Sequence, residues 1–168
     1  IRKLRMNSNQ VMSVAQSLYQ AGHITYMRTD SINLSNEALG AAKAVISKKY
    51  GKEYLPTSPR VYKSKIKNAQ EAHEAVRPTD VAEHPNDIKS FLGHDEARLY
   101  DLIWLRFVAS QMSSAIHDTT TIDFHLKGAS GRDYIFRSTG SIVKFQGFTR
   151  LYLEATEDGE HRRLDDLD

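Results

Sequence analysis

The stretch Gly22-His23-Ile24-Thr25-Tyr26-Met27-Arg28-Thr29-Asp30-Ser31 places a phenol two residues before a guanidinium, with small hydroxyls and a carboxylate close behind. A phenol is a weak nucleophile at neutral pH unless positive charge favours its phenolate. Arg28 supplies such a charge. In an extended stretch it shares a side with Tyr26, and its planar fork suits a phosphate oxygen pair. Thr29 and Ser31 add hydroxyls for phosphate oxygens. The chemistry this points to is attack of Tyr26 on a phosphodiester. Two plainer readings stand beside it: Tyr26 as an ordinary rim side chain, one of eight tyrosines, and Arg28 in a salt bridge to Asp30 or Glu71.

A second dense polar stretch follows, Gln70-Glu71-Ala72-His73-Glu74-Ala75-Val76-Arg77-Pro78-Thr79. His73 titrates near physiological pH and suits a phosphate contact or proton relay beside Arg77. It reads equally as a buried hydrogen-bonded imidazole or an exposed helix residue. As a metal ligand it is weak, because no second histidine or cysteine stands at ligand spacing. Glu71 and Glu74 read as solvated charges. No Walker-type glycine loop and no compact Asp-x-Asp cluster in the basic half supports nucleotide hydrolysis or a local Mg²⁺ site.

Helices and turns must position these residues. A helix is expected over 7–21, capped by Asn7 with Gln10 at N3, striped by Val11, Ala15 and Leu18, and stopped at Gly22. Residues 23–34 then read as a loop or short extended piece. A second helix starts at Ser35, with Leu34 and Leu39 at staple spacing and Leu39, Ala42, Val45 and Ile46 buried. Pro56 and Pro59 mark an irregular connection, made basic by Lys63, Lys65 and Lys67. A short helix is expected from Ala69 to Val76, ended by Pro78. The strongest helical pattern runs from Asp95 to Met112, with Leu99, Leu102, Ile103, Trp104, Phe107 and Val108 inward. Period-two alternation then takes over, with Thr120, Ile122, Phe124 and Leu126 opposite Thr119, Thr121, Asp123 and His125. Strands are expected at 116–126, 134–139 and 142–145. The organisation expected is α+β: a helical unit over 1–115, a small antiparallel β segment over 116–153, and an acidic linker or tail over 154–168. Three strands bury little alone, so that β piece is expected to belong to a sheet completed elsewhere in a longer chain.

Bulk properties narrow the class. The 168 residues suffice for one ordinary core, and 40% hydrophobic with 26% charged content is that of a globular protein. No apolar run approaches the about 20 residues that span a bilayer, so no membrane partner is expected. The absence of cysteine excludes disulfides and thiolate metal sites and fits a reducing compartment. Residues 1–80 carry 13 Lys and Arg against 6 Asp and Glu, whereas residues 81–168 carry 10 against 15. Both polar motifs lie in the basic half, whose field attracts polyanions; a solvated lysine face is the competing reading. The start at Ile1 reads as that of a piece cut from something larger, so a longer chain is expected.

The two motifs carry a resemblance. Ile24-Thr25-Tyr26-Met27-Arg28-Thr29-Asp30-Ser31 resembles the active-site signature of the type IA DNA topoisomerases, in particular the bacterial topoisomerase I group. Gln70 to Pro78 resembles a second signature of that family, in the same order and at a compatible distance. The similarity extends to Val14–Tyr19, to Leu99-Tyr100 and to Gln111-Met112, and covers residues 1 to about 153. The resemblance implies that Tyr26 attacks single-stranded DNA, leaving a 5′-phosphotyrosine and a free 3′-hydroxyl, and that strand passage and religation relax negative supercoils without ATP. It implies that Arg28 stabilises the scissile phosphate and that His73 contacts DNA near the cut. Arg77 is a weaker phosphate contact, and Asp30 orients Arg28 or His73. It also implies Mg²⁺, held in the intact enzyme by a toprim domain that nothing in residues 1–168 matches, with no metal bound here. The β segment would belong to an arch domain, and the helical unit would form the gate. The chain alone is then expected to contact DNA but to cleave it poorly or not at all, and to work in the bacterial cytoplasm with the nucleoid.

Two other classes remain to be separated. Tyrosine recombinases and type IB topoisomerases also combine arginines, a histidine and a tyrosine, but their tyrosine follows the histidine–arginine box, and their linkage is 3′. A non-enzymatic module would use Tyr26 only to stack on bases in a basic groove. A helix-turn-helix reader is disfavoured because no recognition helix with base-reading side chains is evident.

Overall fold

A computed structural model describes residues 3–58, 60, 62 and 74–152. They form an α+β structure of helices α1 (Ser8–Gln20), α2 (Asn36–Lys49), α3 (Pro85–Ile88) and α4 (His94–Ser110), then strands β1 (Ile116–Lys127) and β2 (Asp133–Phe145). The expected acidic tail, and residues 69–73 of the expected short helix, lie outside the described residues.

Local sequence sets the helix ends. Asn7 Oδ1 accepts from Gln10 N at 2.9 Å and Gln10 Oε1 accepts from Asn7 N at 3.0 Å, closing the expected capping box. Ser35 Oγ accepts from Ala38 N at 3.2 Å at the start of α2. Glu96 Oε2 accepts from Gly93 N at 2.9 Å at the start of α4, where Asp95 and Glu96 also face the positive end of the dipole. Gly22, after α1, has φ +81°, which a side chain would strain.

The core gathers around α4. Tyr100, Trp104 and Val108 are wholly buried, and α1 packs alongside through Ala15 and Leu18. From α2, Ala38, Ala42 and Ile46 join the same cluster. The expected Leu39 and Val45 stop half-buried, because the helix turns its alanine face deepest. The two buried aromatics carry polar atoms, and both are satisfied: Trp104 Nε1 donates to the Val81 carbonyl at 2.9 Å and Tyr100 Oη to the Glu83 carbonyl at 2.8 Å. Burial, reinforced by the carboxylates of Glu83 and Asp80, pushes the Tyr100 phenol far above its ordinary value. It is a neutral anchor.

One element was not anticipated and one expectation is corrected. Helix α3 opens with His84 Nδ1 accepting from Asn86 N and Pro85 in the first turn, but its four residues show no apolar period to read. The second and third strands are one continuous strand, since Gly140 simply pairs with Thr120 in the ladder. The hairpin is antiparallel, turning through Gly128–Arg132, with Gly131 at φ +78°. Its faces differ. Phe124 stands opposite Phe136, and Leu126 opposite Tyr134, on one side; the other carries the Asp123–Arg137 fork at 2.7 and 2.8 Å and hydroxyl pairs Thr121/Thr139 and Thr119/Ser141. Both faces are exposed along the strands.

The hairpin leaves and rejoins the helical unit at one corner. A bulge between Ile116 and His117 bends the ladder there. Phe145 then packs on Tyr54 with ring centroids 4.8 Å apart, Ser113 N bonds the Tyr54 carbonyl at 2.8 Å, and Phe148 N bonds the Ser113 carbonyl at 2.9 Å. Gly147, at φ +52°, lies so close to Ser114 and Ala115 that a Cβ would enter their backbone.

Candidate active site

The loop after α1 and the second polar stretch are joined strand to strand. Thr25 N donates to the Arg77 carbonyl and Thr79 N to the His23 carbonyl, each at 2.9 Å, and Ile24 pairs with Pro78 in an isolated antiparallel bridge. Thr25 Oγ1 accepts from Arg77 N at 2.9 Å and donates to the Ala75 carbonyl at 2.8 Å. Farther along, Ala75 N reaches the Asn33 carbonyl at 2.8 Å and Ser35 N donates to Glu74 Oε1 at 2.9 Å. The two motifs, some 50 residues apart, therefore form one frame. This pairing also explains why Glu74–Val76 are not helical: their backbone groups are committed to the neighbouring loop.

Within that frame Ile24 is buried and Tyr26 is not. Tyr26 is 48% exposed. Its ring meets that of Tyr19, on the last turn of α1, edge to face at 5.3 Å and 65°. Arg28 and Asp30 are exposed as well, and neither forms an ion pair among the described residues, so the salt bridge between them is not made. The loop thus offers a phenol and a guanidinium to solvent from an anchored backbone.

The hydroxyls behave differently from the sequence reading. Thr29 Oγ1 accepts from Ser31 N at 3.0 Å and Ser31 Oγ accepts from Asn33 N at 3.1 Å, so both close turns of their own loop. Ser31 is only 7% exposed, turned into the protein rather than toward a ligand. Arg77 is likewise engaged. Its Nε and Nη2 fork onto Glu74 at 2.8 and 2.9 Å, and Nη1 donates to the Pro78 carbonyl at 2.8 Å and the Thr79 carbonyl at 3.3 Å. The guanidinium holds the Glu74 carboxyl below its ordinary range, against an opposing effect of burial. These bonds make Arg77 a latch of the frame. His73, with Gln70 and Glu71, lies outside the described residues.

Sequence reasoning passed over Tyr19 as a neighbour of Tyr26. The signal was present, because a penultimate helix residue lies beside a loop that turns back at Gly22. Among the described residues no three His, Asp or Glu side chains come together as a metal centre.

The family model described as DNA topoisomerase matches residues 1–168. The chain belongs to the DNA topoisomerase family, in its bacterial topoisomerase I branch. It is 46% identical to DNA topoisomerase 1 of Mycolicibacterium smegmatis over 99% of its length and 18% of that protein's. It is 44% identical to DNA topoisomerase 1 of Rickettsia bellii, covering 94% of this chain and 20% of that one. The solved structure of full-length topoisomerase I from Thermotoga maritima superimposes with a TM-score of 0.74 at 32% identity, over 95% of this chain and 26% of that chain. The chain thus spans about a fifth of the length of the curated relatives it matches.

Proposed function

We propose that this chain is the tyrosine-bearing segment of an ATP-independent type IA DNA topoisomerase and that Tyr26 is its nucleophile. The observation that carries the reading is the exposed Tyr26–Arg28 loop, held by the second motif through Thr25. The Tyr26 oxygen attacks the phosphorus of a single-stranded DNA phosphodiester. The new O–P bond forms as the P–O3′ bond breaks, the phenol gives up its proton, and the departing 3′-oxygen takes one up. One phosphate ester replaces another, so religation needs no outside energy source. Arg28 neutralises charge on the phosphate as it passes through the transition state. His73 contacts the DNA and Asp30 orients its neighbours, while Thr29, Ser31 and Arg77 keep the loop in shape. Strand passage through the gap then relaxes negative supercoils in the bacterial cytoplasm. Mg²⁺ and the acidic groups that bind it come from a toprim domain, and the hairpin contributes to an arch.

The test is covalent capture. The intact protein is mixed with a 3′-labelled single-stranded oligonucleotide and Mg²⁺, then denatured with detergent. Label should migrate with the protein, and Tyr26→Phe should abolish it. A 5′-labelled oligonucleotide captured instead would mean a 3′ linkage and a different class. The exposed Tyr19–Tyr26 pair also suits base stacking without chemistry. In that case Tyr26→Phe would bind DNA like the wild type and no adduct would form with either protein.

A further inference from the structure

At the C-terminal end of α4 a cleft of about 420 Å³ opens between the helix and the chain returning from the hairpin. Arg60, Tyr62, Arg106, Phe148 and Tyr152 line it. Tyr62 Oη donates to the Ser110 carbonyl at 2.7 Å, which fixes its ring at the end of α4 while leaving it 49% exposed. Arg60 Nη2 donates to Ser114 Oγ at 2.7 Å. The Tyr152 ring has the Lys3 ammonium 3.7 Å from its centroid and the Arg106 guanidinium at 5.4 Å. Three exposed or half-exposed rings are thus interleaved with cations, and no carboxylate of the described residues lines the space. Neither Arg60 nor Arg106 forms an ion pair among the described residues. An apolar core or a solvated charge face requires no such alternation, whereas a strand with stacking bases and a phosphate at each step does.

We propose that this cleft is a second contact for single-stranded nucleic acid, with bases on Tyr62, Phe148 and Tyr152 and phosphates on Arg60 and Arg106. Its position relative to the Tyr26 loop suggests what it holds. Tyr62, Arg106 and Ser110 also line a neighbouring cleft whose other wall includes Ile32 and Leu34 of the Tyr26 loop and Val76 of the second motif. A strand lying across Tyr62 therefore continues toward the loop that carries the nucleophile. The cleft grips the substrate strand at a distance from the cut, which resists its loss while the strand is broken. This inference rests on the reading of the chain as DNA-handling, but not on which atom of Tyr26 reacts.

The test uses the intact protein and a fluorescent oligonucleotide of single-stranded DNA, with anisotropy read across a salt series. Arg60→Ala/Arg106→Ala should weaken binding about tenfold at 0.1 M salt and lower the slope of log K against log salt by about 1.4, the value for two single-strand phosphates. Arg60→Lys/Arg106→Lys, which keeps both charges, should restore most of that slope, separating lost contacts from lost folding. Iodouracil placed along the strand should photo-crosslink to Tyr62, Phe148 or Tyr152, and Tyr62→Ala should remove the crosslink at that position. Wild-type affinity and slope in the double alanine variant, or crosslinks confined to the Tyr26 loop, would overturn the proposal while leaving the nucleophile assignment standing. A wild-type protein that neither binds single strands nor forms an adduct would sink both.

Discussion

Thr25 is the residue on which the candidate site most depends. One hydroxyl bonds the backbone of both Ala75 and Arg77, one position before the tyrosine. Thr25→Val keeps the shape and removes the bonds, leaving an amide and a carbonyl without these partners. The expected cost is about 1–3 kcal/mol in urea unfolding, together with a lower yield of covalent adduct; unchanged values for both would show that the frame does not need the hydroxyl. Glu74 supplies a pH-dependent part of the same frame. Its folded value is depressed, so its contribution is present above the ordinary carboxyl value of 4.5 and is lost as pH falls through the folded value. The stability gap between the wild type and Glu74→Gln should therefore be open at neutral pH and close on acidification. A gap that persists at low pH would assign the effect to packing. That Tyr26 and Arg28 sit together on an exposed loop was legible in the sequence, because such a loop keeps the order of its residues. Ser31 and Arg77 were not, because hydroxyls and guanidiniums look alike on paper whether they face a ligand or their own backbone.

At the scale of elements, the readable parts were those with local causes. Helices α1 and α2 begin where Asn7 and Ser35 cap them, and α4 begins one residue from its expected start. The bridge between Ile24 and Pro78 has no local cause and could be seen only in three dimensions. The strand break expected near Gly140 failed for a related reason, since cross-strand pairing overrides a weak local signal. Gly147 offers a quantitative check. Its positive φ and its contact with Ser114 and Ala115 mean that Gly147→Ala must both strain the backbone and move a neighbour. Gly131 also has positive φ but has open space around its Cβ position. Alanine at 131 should cost about 1–2 kcal/mol, and alanine at 147 clearly more, as read by thermal unfolding of the two variants side by side. Equal losses would show that the corner relaxes freely.

For the molecule as a whole, the question is what the hairpin does outside the core. Ile122, Phe124, Leu126 and Phe136 line one exposed face, a pattern that monomers rarely leave uncovered at this size. The helical unit does not depend on that face. Phe124→Lys/Phe136→Lys should leave the unfolding free energy of the helical unit within about 0.5 kcal/mol, and hydrogen exchange should find the β1 and β2 amides opening well before those of α4. A large loss on the double substitution would mean that the face is coupled to the core. No helix among the described residues is long and apolar enough to cross a membrane.

The corner where Gly147 meets Ser114 also sets a mechanical ratio. Both legs of the hairpin are rooted there, and twelve residues of strand reach about 40 Å. A bar of that length turns small rotations into large travel: about 10° at the root carries the tip about 7 Å. Force applied at the tip returns to the root as torque, delivered at Ser113 and Ser114, just beyond the last turn of α4. The hairpin is in that sense a lever arm, with its fulcrum on the helix that anchors the core.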